Sequence, residues 1–323
     1  MEKIYLVSEP IAAEMAHFRT LFRSSLAGDN PLLNQVTEHI MQKSGKMMRP
    51  MLVLLTAKLF GEVNEATYRA ALSLELLHNA SLVHDDVVDD SDERRGQLSV
   101  NALFNNKVAV LSGDYLLASS LLQVAATGNL EIVRIVSQLG QDLADGELLQ
   151  LTNVGNDHFS EEVYYEVIRK KTAVLFAACT KAGALSVGAS PVDVELIRRF
   201  GEYVGLCFQI RDDIFDYFDD HIGKPTGNDM KEGKLTLPVL HALNSTQDAE
   251  AAALALRVKH GEASQAEIAQ LIEFTKCHGG IEYAEQQMHE IEKKACTLLA
   301  TYPDSPVRQA LYAYLLCVIN RVK

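Results

Sequence analysis

Two short acidic motifs stand out from the apolar sequence around them. Both have the spacing D-D-x-x-D, and their members are Asp85, Asp86 and Asp89 in the first motif and Asp212, Asp213 and Asp216 in the second. On a helix, positions i and i+4 lie one turn apart on nearly the same face, so the first and third carboxylates project together. Magnesium relieves the repulsion between such carboxylates, because it takes oxygen ligands and shares its shell with water and substrate phosphates. A solvated acidic surface is the alternative, but two clusters of identical spacing favour a metal site.

Basic residues lie close to these motifs along the chain. They are Lys46 and Arg49 upstream, Arg94 and Arg95 after the first motif, Lys170 and Lys171 midway, and Lys224 and Lys234 after the second. Each alone is ordinary surface charge, but together with metal-binding carboxylates they predict a diphosphate site held by Lys, Arg and magnesium at once. None of the Gly-Lys pairs is followed by Ser or Thr, so a P-loop nucleotidase is disfavoured.

The composition excludes several other classes of function. Among 323 residues, 43 are acidic and 30 basic, giving a net charge of −13 that opposes nonspecific binding to nucleic acid or anionic lipid. The longest uncharged stretch, residues 115–130, falls short of the roughly 20 apolar residues of a membrane span. No secretory signal is evident, and the five cysteines are interpreted as buried free thiols in a reducing compartment. A cytoplasmic protein without a transmembrane segment is therefore expected.

The pattern of the chain is helical. No proline lies between Pro50 and Pro191, and apolar residues recur with a period near 3.6 over that stretch. Helix starts are predicted at Ser160 and at Ser190 with Pro191. The absence of a Gly/Ser linker favours a single large all-α domain over residues 1–323.

Residues 43–243 resemble the trans, or (E)-type, polyprenyl diphosphate synthases, and most closely the bacterial long-chain, octaprenyl-type members. The similarity is carried by these elements: G-K-x-x-R-P, L-x-H-x-x-S-L-x-H-D-D-x-x-D-x-x-x-x-R-R-G, K-T-x-x-L-F, F-Q-x-x-D-D-x-x-D, and G-K followed by E-G-K. The resemblance implies a helical bundle of the isoprenoid synthase type with a central active-site cavity. It also implies a homodimeric prenyltransferase that joins an allylic diphosphate, such as farnesyl diphosphate, to successive isopentenyl diphosphates.

The resemblance further implies roles for individual residues. The metal ligands, for three Mg²⁺ ions in each active site, would be Asp85, Asp86, Asp89, Asp212 and Asp216, with Asp213 as a further supporting carboxylate. The allylic diphosphate would be bound by Arg94, Lys171, Lys224 and Lys234, and isopentenyl diphosphate by Lys46, Arg49, His78 and Arg95. Thr172 and Gln209 would direct oxygen dipoles at an allylic carbocation, and the departing diphosphate would accept the proton.

Product length is predicted from the helix that leads into the first motif. Ser81 and Ala80 stand four and five residues before Asp85, about one helical turn below it. In short-chain members of the family an aromatic residue here closes the pocket, which neither side chain can do. Leu77 and Leu74 are candidates for the wall of a deep channel. A long product is therefore expected, although close helix packing also explains small residues, and a farnesyl or geranylgeranyl product is the alternative.

Four other classes of protein share single features with the chain. His84 followed by Asp85 is typical of HD-type metal phosphohydrolases, but these need further separated His ligands. Glu75 and His78 match the Glu-x-x-His of di-iron bundles, which needs a second copy. Terpene cyclases have one aspartate-rich motif and no second diphosphate site. In an inactive subunit of a heteromeric synthase, some of the motif aspartates should be replaced by other residues, and all six are present here.

Overall fold

The computed structural model describes residues 2–42, 47–94, 96–154, 157–218 and 227–321. It is 80% helical, which confirms the all-α prediction. The strands of the described residues are β1 (Glu93–Arg94) and β2 (Gln97–Leu98), which pair antiparallel directly after the first aspartate motif.

The helices of the amino-terminal part are, in chain order, α1 (Glu2–Ser8), α2 (Ala12–Ser25), α3 (Pro31–Gln42), α4 (Met48–Phe60), α5 (Glu65–Val88), α6 (Val100–Phe104), α7 (Asn106–Ala125) and α8 (Leu130–Val154). The later helices are α9 (Glu161–Ile168), α10 (Val174–Ser186), α11 (Pro191–Phe215), α12 (Asn228–Lys231), α13 (Leu237–Thr246), α14 (Ala249–Lys259), α15 (Gln265–Cys277), α16 (Gly280–Leu299) and α17 (Pro306–Ile319). A 3₁₀ turn, Glu9–Ile11, joins α1 to α2, and a π-helical turn, Arg169–Ala173, joins α9 to α10.

Side-chain caps explain where several helices begin. The Ser160 hydroxyl accepts the Val163 N–H at 3.2 Å, and α9 starts at the next residue. Ser190 caps α11 in the same way by accepting the Asp193 N–H at 3.2 Å. Both predicted helix starts are confirmed. Asn64 begins α5 with a capping box, and each such cap stabilises its helix by about 1 kcal/mol.

Helix α5 carries the first aspartate motif at its carboxyl end. It ends there because Asp90 adopts a φ of 48°, in the left-handed region that breaks a right-handed helix. Helix α7 approaches α5 closely at Gly113, where an added Cβ would stand 2.2 Å from His84 Nε2. A side chain at this position would have to displace the His84 ring.

The π turn lies between α9 and α10 and carries Lys171 and Thr172. Single π turns inside α-helices occur frequently at functional sites. Gly146 of α8 packs against this turn, and an added Cβ would stand 3.0 Å from both Lys170 Cβ and the Lys171 nitrogen. The close approach of α8 fixes the position of the turn.

The chain divides into two compact units. The first unit comprises residues 1–140, 176–201 and 302–313, and contains the first aspartate motif. The second comprises residues 141–175, 202–301 and 314–323, and contains the second motif. Fully buried side chains in the first unit include Phe18, Leu54, Leu74, Phe176 and Phe200, and in the second Ile210, Leu237, Leu271, Tyr314 and Leu315. The single domain over residues 1–323 stays a prediction.

The cysteines are all free thiols. Cys179 and Cys207 are buried, but Cys277 is exposed because it is the last residue of α15. The interpretation of all five as buried is therefore wrong. Burial raises the pKa of the Cys179 thiol to about 12, so this thiol stays protonated at neutral pH.

One helix of the described residues, α7, is long and apolar enough by composition to cross a bilayer. About a third of its apolar stretch is buried, 33%. Core helices of soluble proteins have the same composition, so α7 is not a clear membrane span.

Candidate active site

The first aspartate motif contains a buried carboxylate that is paired with a partly exposed arginine. Asp86 is 3% exposed, and Arg94 donates to its Oδ1 through Nε and Nη2, each at 2.6 Å. Such charge-assisted hydrogen bonds are among the strong ones. Asp85 and Asp89 on either side are only half-buried. Two residues predicted for different roles, a metal ligand and a diphosphate ligand, therefore contact each other in this structure.

A short hydrogen-bonded turn brings Arg94 back to the motif. The Ser91 N–H donates to the Asp86 carbonyl at 2.9 Å, which tightens the chain just after α5. The Ser99 hydroxyl and the Asn101 amide donate to the Ser91 carbonyl at 2.6 and 3.1 Å. These bonds close the β1–β2 hairpin onto the end of α5, and Arg94 lies on its first strand.

Two of the residues predicted to bind isopentenyl diphosphate lie in the first unit. Arg49 is on α4, and its guanidinium carbon stands 5.4 Å from the centre of the Phe176 ring. His78 is on α5 and is buried, 8% exposed. The other two, Lys46 and Arg95, lie outside the described residues.

The residues predicted to control product length are on α5. Ala80, Leu77 and Leu74 are buried, and Ser81 is half-buried with its hydroxyl donating to the His78 carbonyl at 2.9 Å. Leu77 Cδ1 stands 4.0 Å from where a Cβ on Gly140 would lie. This face of α5 therefore packs against a residue without a side chain on α8.

The second motif has different partners. Asp212 Oδ1 lies 2.5 Å from Nη2 of Arg321, near the carboxyl terminus of the chain. The Arg321 guanidinium also stacks 4.0 Å from the centre of the Phe208 ring. Asp216 accepts the backbone N–H groups of Asn228 and Asp229 at 3.0 and 3.1 Å, which holds the start of α12 against the end of α11.

Asp213 is the buried carboxylate of the second motif. It accepts the Tyr164 hydroxyl at 2.5 Å and the Gln209 amide nitrogen at 2.7 Å. Gln209 in turn accepts the Thr172 hydroxyl at 2.7 Å. The structure thus brings together three residues that were predicted for this site and one, Tyr164, that was not.

Burial controls the protonation of this cluster. It raises the pKa of Asp213 to about 7, against the lowering effect of the bonds from Tyr164 and Gln209. The neighbouring charges of Asp212 and Asp216 raise that pKa further. Burial likewise raises the pKa of Asp229 well above its ordinary value, with Asp213 as the next cause. Two carboxylates as close and as desolvated as Asp213 and Asp229 cannot both be ionised without a compensating cation.

A cavity of about 240 Å³ lies against this cluster in the second unit. Its lining includes the predicted residues Lys171, Thr172, Gln209, Asp213 and Lys234, together with Tyr164, Asp229 and Lys259, which were not predicted. Lys171 pairs with Glu147 at 2.5 Å, and Lys234 pairs with Glu232. The predicted Lys224 lies outside the described residues. Cations and carboxylates on one wall are the surroundings that a diphosphate with bound metal requires.

Several partners of the site were missed from the sequence. No local signal marks Tyr164, because the π turn that contains Lys171 breaks the 3.6-residue period that would relate the two positions. Asp229 lies between the G-K and E-G-K elements and could have been found there. No local signal marks Arg321, because its partner Asp212 is far away along the chain.

The donor set fits magnesium. Within the part of the chain that the structure describes, no three His, Cys, Asp or Glu side chains converge as a preformed metal cluster. Magnesium does not need one, since it is usually held by one or two carboxylates together with water and substrate phosphates. In the first unit the half-buried carboxylates of Asp85 and Asp89 are oxygens of this kind, and in the second unit that of Asp212 is another.

Comparison with known proteins identifies the family. The family model described as polyprenyl synthetase matches residues 30–275. Octaprenyl diphosphate synthase of Escherichia coli is 34% identical over 317 residues, 98% of each chain. A crystal structure named geranylgeranyl pyrophosphate synthase from Bacteroides thetaiotaomicron is 56% identical, with a TM-score of 0.89 and coverage of 99% of this chain and 100% of that one. A decaprenyl diphosphate synthase structure from Rhodobacter capsulatus is 36% identical, with a TM-score of 0.92 and 98% coverage of both chains.

The chain belongs to the polyprenyl synthetase family.

Membership confirms the resemblance, the isoprenoid synthase fold and the enzyme class. This polyprenyl synthetase is a prenyltransferase of the kind that condenses allylic diphosphates with isopentenyl diphosphate, and the family generally uses Mg²⁺. Neither the phosphohydrolase nor the di-iron interpretation survives this result. The relatives carry names for products of different lengths, so the product needs a separate argument.

Proposed function

We propose that this prenyltransferase extends an allylic diphosphate, such as farnesyl diphosphate, into a long-chain all-trans polyprenyl diphosphate. The observation that carries the proposal is the small-sided stretch of α5 just before Asp85, where Ala80 and Ser81 present no ring. Leu74 lies about 16 Å from Asp85 along the helix at 1.5 Å per residue, a distance that several isoprene units would span. The octaprenyl and decaprenyl names of two relatives support the same product class.

A geranylgeranyl product is the second candidate. It is favoured by the Bacteroides thetaiotaomicron structure, which is 56% identical and carries that name. In that case the channel would be closed after four isoprene units by a side chain outside the Ala80–Ser81 turn.

The aspartates of both motifs would act on the allylic diphosphate. Asp85, Asp89 and Asp212 would hold its magnesium ions, three in number, with Asp86, Asp213 and Asp216 as supporting carboxylates. Bound magnesium supplies neutralisation of the charge that develops on the leaving diphosphate. The ion pair with Asp86 holds the Arg94 guanidinium beside the motif.

The cationic side chains would bind and orient the two diphosphates. Arg94, Lys171, Lys224 and Lys234 would hold the allylic diphosphate while its C–O bond breaks and the electron pair leaves with the diphosphate. Lys46, Arg49, His78 and Arg95 would hold isopentenyl diphosphate so that its double bond attacks the allylic carbon. Oxygen atoms of Thr172 and Gln209 would face the positive charge. The proton lost after the new C–C bond forms goes to the departed diphosphate.

We also propose that the enzyme is a cytoplasmic homodimer. Helix α7 presents an exposed apolar face that a second copy would cover, with Val110, Leu111, Leu121 and Leu122 at 40%, 68%, 47% and 72% exposure. Light scattering coupled to size exclusion would measure the mass. A monomer at micromolar concentration would contradict the dimer.

Product length is tested with purified protein, Mg²⁺, farnesyl diphosphate and labelled isopentenyl diphosphate. Wild type is expected to form products longer than twenty carbons, resolved by chain length after butanol extraction, and Ala80→Phe to form shorter ones. Ser81→Ala is the matched control, because it keeps the turn small and should leave the length unchanged. A wild-type product of twenty carbons establishes the geranylgeranyl alternative. An unchanged length in Ala80→Phe means that the channel does not pass this turn.

A further inference from the structure

Asp213 differs from the other motif carboxylates in how it is held. It is 2% exposed, and among the described residues the side chains that donate to it are both uncharged. The Tyr164 hydroxyl donates to Oδ2 at 2.5 Å, and the Gln209 amide donates to Oδ1 at 2.7 Å. Each oxygen of a buried carboxylate thus has its own donor, and removal of either donor leaves that oxygen desolvated and unpaired.

The carboxylate fixes the orientation of the Gln209 amide. Its nitrogen donates to Asp213 and its oxygen accepts the Thr172 hydroxyl at 2.7 Å. Turning the amide over would replace the N–H donor at Asp213 Oδ1 with an oxygen and would point the amide nitrogen at the Thr172 hydroxyl. The direction of the Thr172 hydroxyl therefore depends on Asp213 through Gln209.

Tyr164 is the last member of this chain of hydrogen bonds, and packing holds its side chain in place. It lies in α9, is 5% exposed, and meets the ring of Tyr165 edge-on at 5.4 Å between centres. A tyrosine held by packing on a helix has little freedom at its hydroxyl. Its hydroxyl defines where Oδ2 of Asp213 lies, and hence where Oδ1 is presented to Gln209.

We propose that Tyr164 is a positioning residue for the prenyl transfer. Its hydroxyl holds the hydrogen-bonded chain Tyr164–Asp213–Gln209–Thr172 in one arrangement, so that the oxygens of Gln209 and Thr172 keep a fixed direction. This inference rests on the proposed function, in which those oxygens face the developing allylic cation. Tyr164 acts through Asp213 and Gln209 and needs no contact with substrate.

The first test compares Tyr164→Phe with Tyr165→Phe. The Tyr165 hydroxyl is buried and has no hydrogen-bond partner among the described residues, so its removal is a matched control. We expect Tyr164→Phe to lower kcat about 10- to 100-fold, because oxygens that lose their fixed direction stabilise the transition state less well. KM for both diphosphates, and the Kd of a non-ionising thio analogue of the allylic diphosphate, should stay within about twofold of wild type. Tyr165→Phe should keep its kcat.

A purely structural role gives a different result. Tyr164→Phe would then lower the melting temperature but leave kcat per folded enzyme at the wild-type value, which overturns the proposal. Weakened binding of the thio analogue with unchanged kcat also overturns it, because the hydrogen-bonded chain orients groups for the chemical step.

A double-mutant cycle with Thr172→Val tests the route of action. If Tyr164 acts through Gln209 on Thr172, Tyr164→Phe should cost much less in the Thr172→Val background than in wild type. If the fold-loss of kcat in the double variant equals the product of the two single losses, the two residues act independently and the inference is wrong. Near-normal kcat for Thr172→Val alone would sink the proposed role of Thr172. If Thr172→Val has a low kcat while Tyr164→Phe keeps the wild-type kcat, the positioning role of Tyr164 is contradicted and the proposed role of Thr172 is not.

Discussion

The two aspartate motifs have the same D-D-x-x-D pattern, but their side chains have different partners. In the first unit the middle carboxylate, Asp86, is bound by the charged Arg94 at 2.6 Å. In the second unit the equivalent carboxylate, Asp213, is bound by Tyr164 and Gln209, which carry no charge. Charge is instead supplied to the leading carboxylate, where Arg321 meets Asp212 at 2.5 Å. The spacing D-D-x-x-D thus fixes the geometry within one helix but not the partners.

This difference separates two tasks that the motif performs. The pair of Asp86 with Arg94 brings a positive charge to the first motif, whereas Asp213, buried among neutral donors, orients the hydrogen-bonding groups around it. The first arrangement sets charge, and the second sets direction. Variants of each motif can test whether this division holds.

The largest effect is expected at the leading aspartates, where the two motifs should behave alike. Asp85→Ala and Asp212→Ala each remove a proposed metal ligand, and we expect kcat to fall on the order of a thousandfold or more at saturating Mg²⁺. Circular dichroism should show an intact fold. Asp90→Asn is the control, because it removes a neighbouring charge and keeps the three motif carboxylates. Near-normal turnover in either alanine variant would contradict the metal-bridging role.

Much of this site could be predicted from the sequence, because helical periodicity is local. The facing of Gln209 and Asp213 follows from their i, i+4 spacing, and the start of α9 follows from Ser160. Which of Tyr164 and Tyr165 meets Asp213 could not be predicted. Adjacent residues on a helix differ by about 100°, and the π turn after α9 shifts the helical phase of Lys171 and Thr172 relative to the tyrosines.

Long-range partners were also beyond the sequence. The ion pair between Asp212 and Arg321 joins residues with no local relation, and the pairing of Arg94 with Asp86 depends on a hairpin of two-residue strands. Strands this short carry no alternating pattern to detect. Tertiary packing alone brings these groups together.

The surroundings of Asp213 predict a pH-dependent stability of the metal-free protein. Burial raises its pKa to about 7 in the folded state, against about 3.9 when unfolded. Between these values the folded state binds a proton that the unfolded state lacks, so the free energy of unfolding falls as pH rises from about 4 to about 7. Asp213→Asn should flatten that decline, which amounts to a few kcal/mol at most. Urea unfolding in chelator across this range measures it, and an equal slope in both proteins contradicts the assignment.

Adjacent arginines after the first motif should affect different substrates. Arg94→Gln breaks the pair with Asp86 and should raise KM for the allylic diphosphate at least about tenfold. Arg95→Gln should raise KM for isopentenyl diphosphate by a similar factor. Arg134→Gln, on the exposed face of α8, is the control and should change neither. A rise confined to the allylic KM in Arg95→Gln would show that the two assignments are exchanged.

The smallest effect is expected from Arg321, near the carboxyl terminus. Its partner Asp212 is more exposed than Asp86, the carboxylate that is paired in the first motif. Arg321 and Asp212 are 25% and 45% exposed, so solvent screens their attraction and the pair contributes about 0–1 kcal/mol. Stacking of Arg321 on Phe208 adds roughly 0.5–1 kcal/mol. Arg321→Gln should therefore lower the free energy of unfolding by about 1 kcal/mol, and by less in high salt.

Arg94→Gln should cost more stability, roughly 1–3 kcal/mol, because it removes the charged donor of the Asp86 carboxylate, whose side chain is only 4% exposed. Arg94 itself is 36% exposed, so solvent reduces this loss below that of a fully buried pair. Urea unfolding of both variants at low and high salt measures the difference. Equal losses would mean that burial does not distinguish the two pairs. A larger loss for Arg321→Gln would mean that the cation of the second motif has a greater structural role than its exposure implies, since an exposed pair alone cannot supply that much free energy.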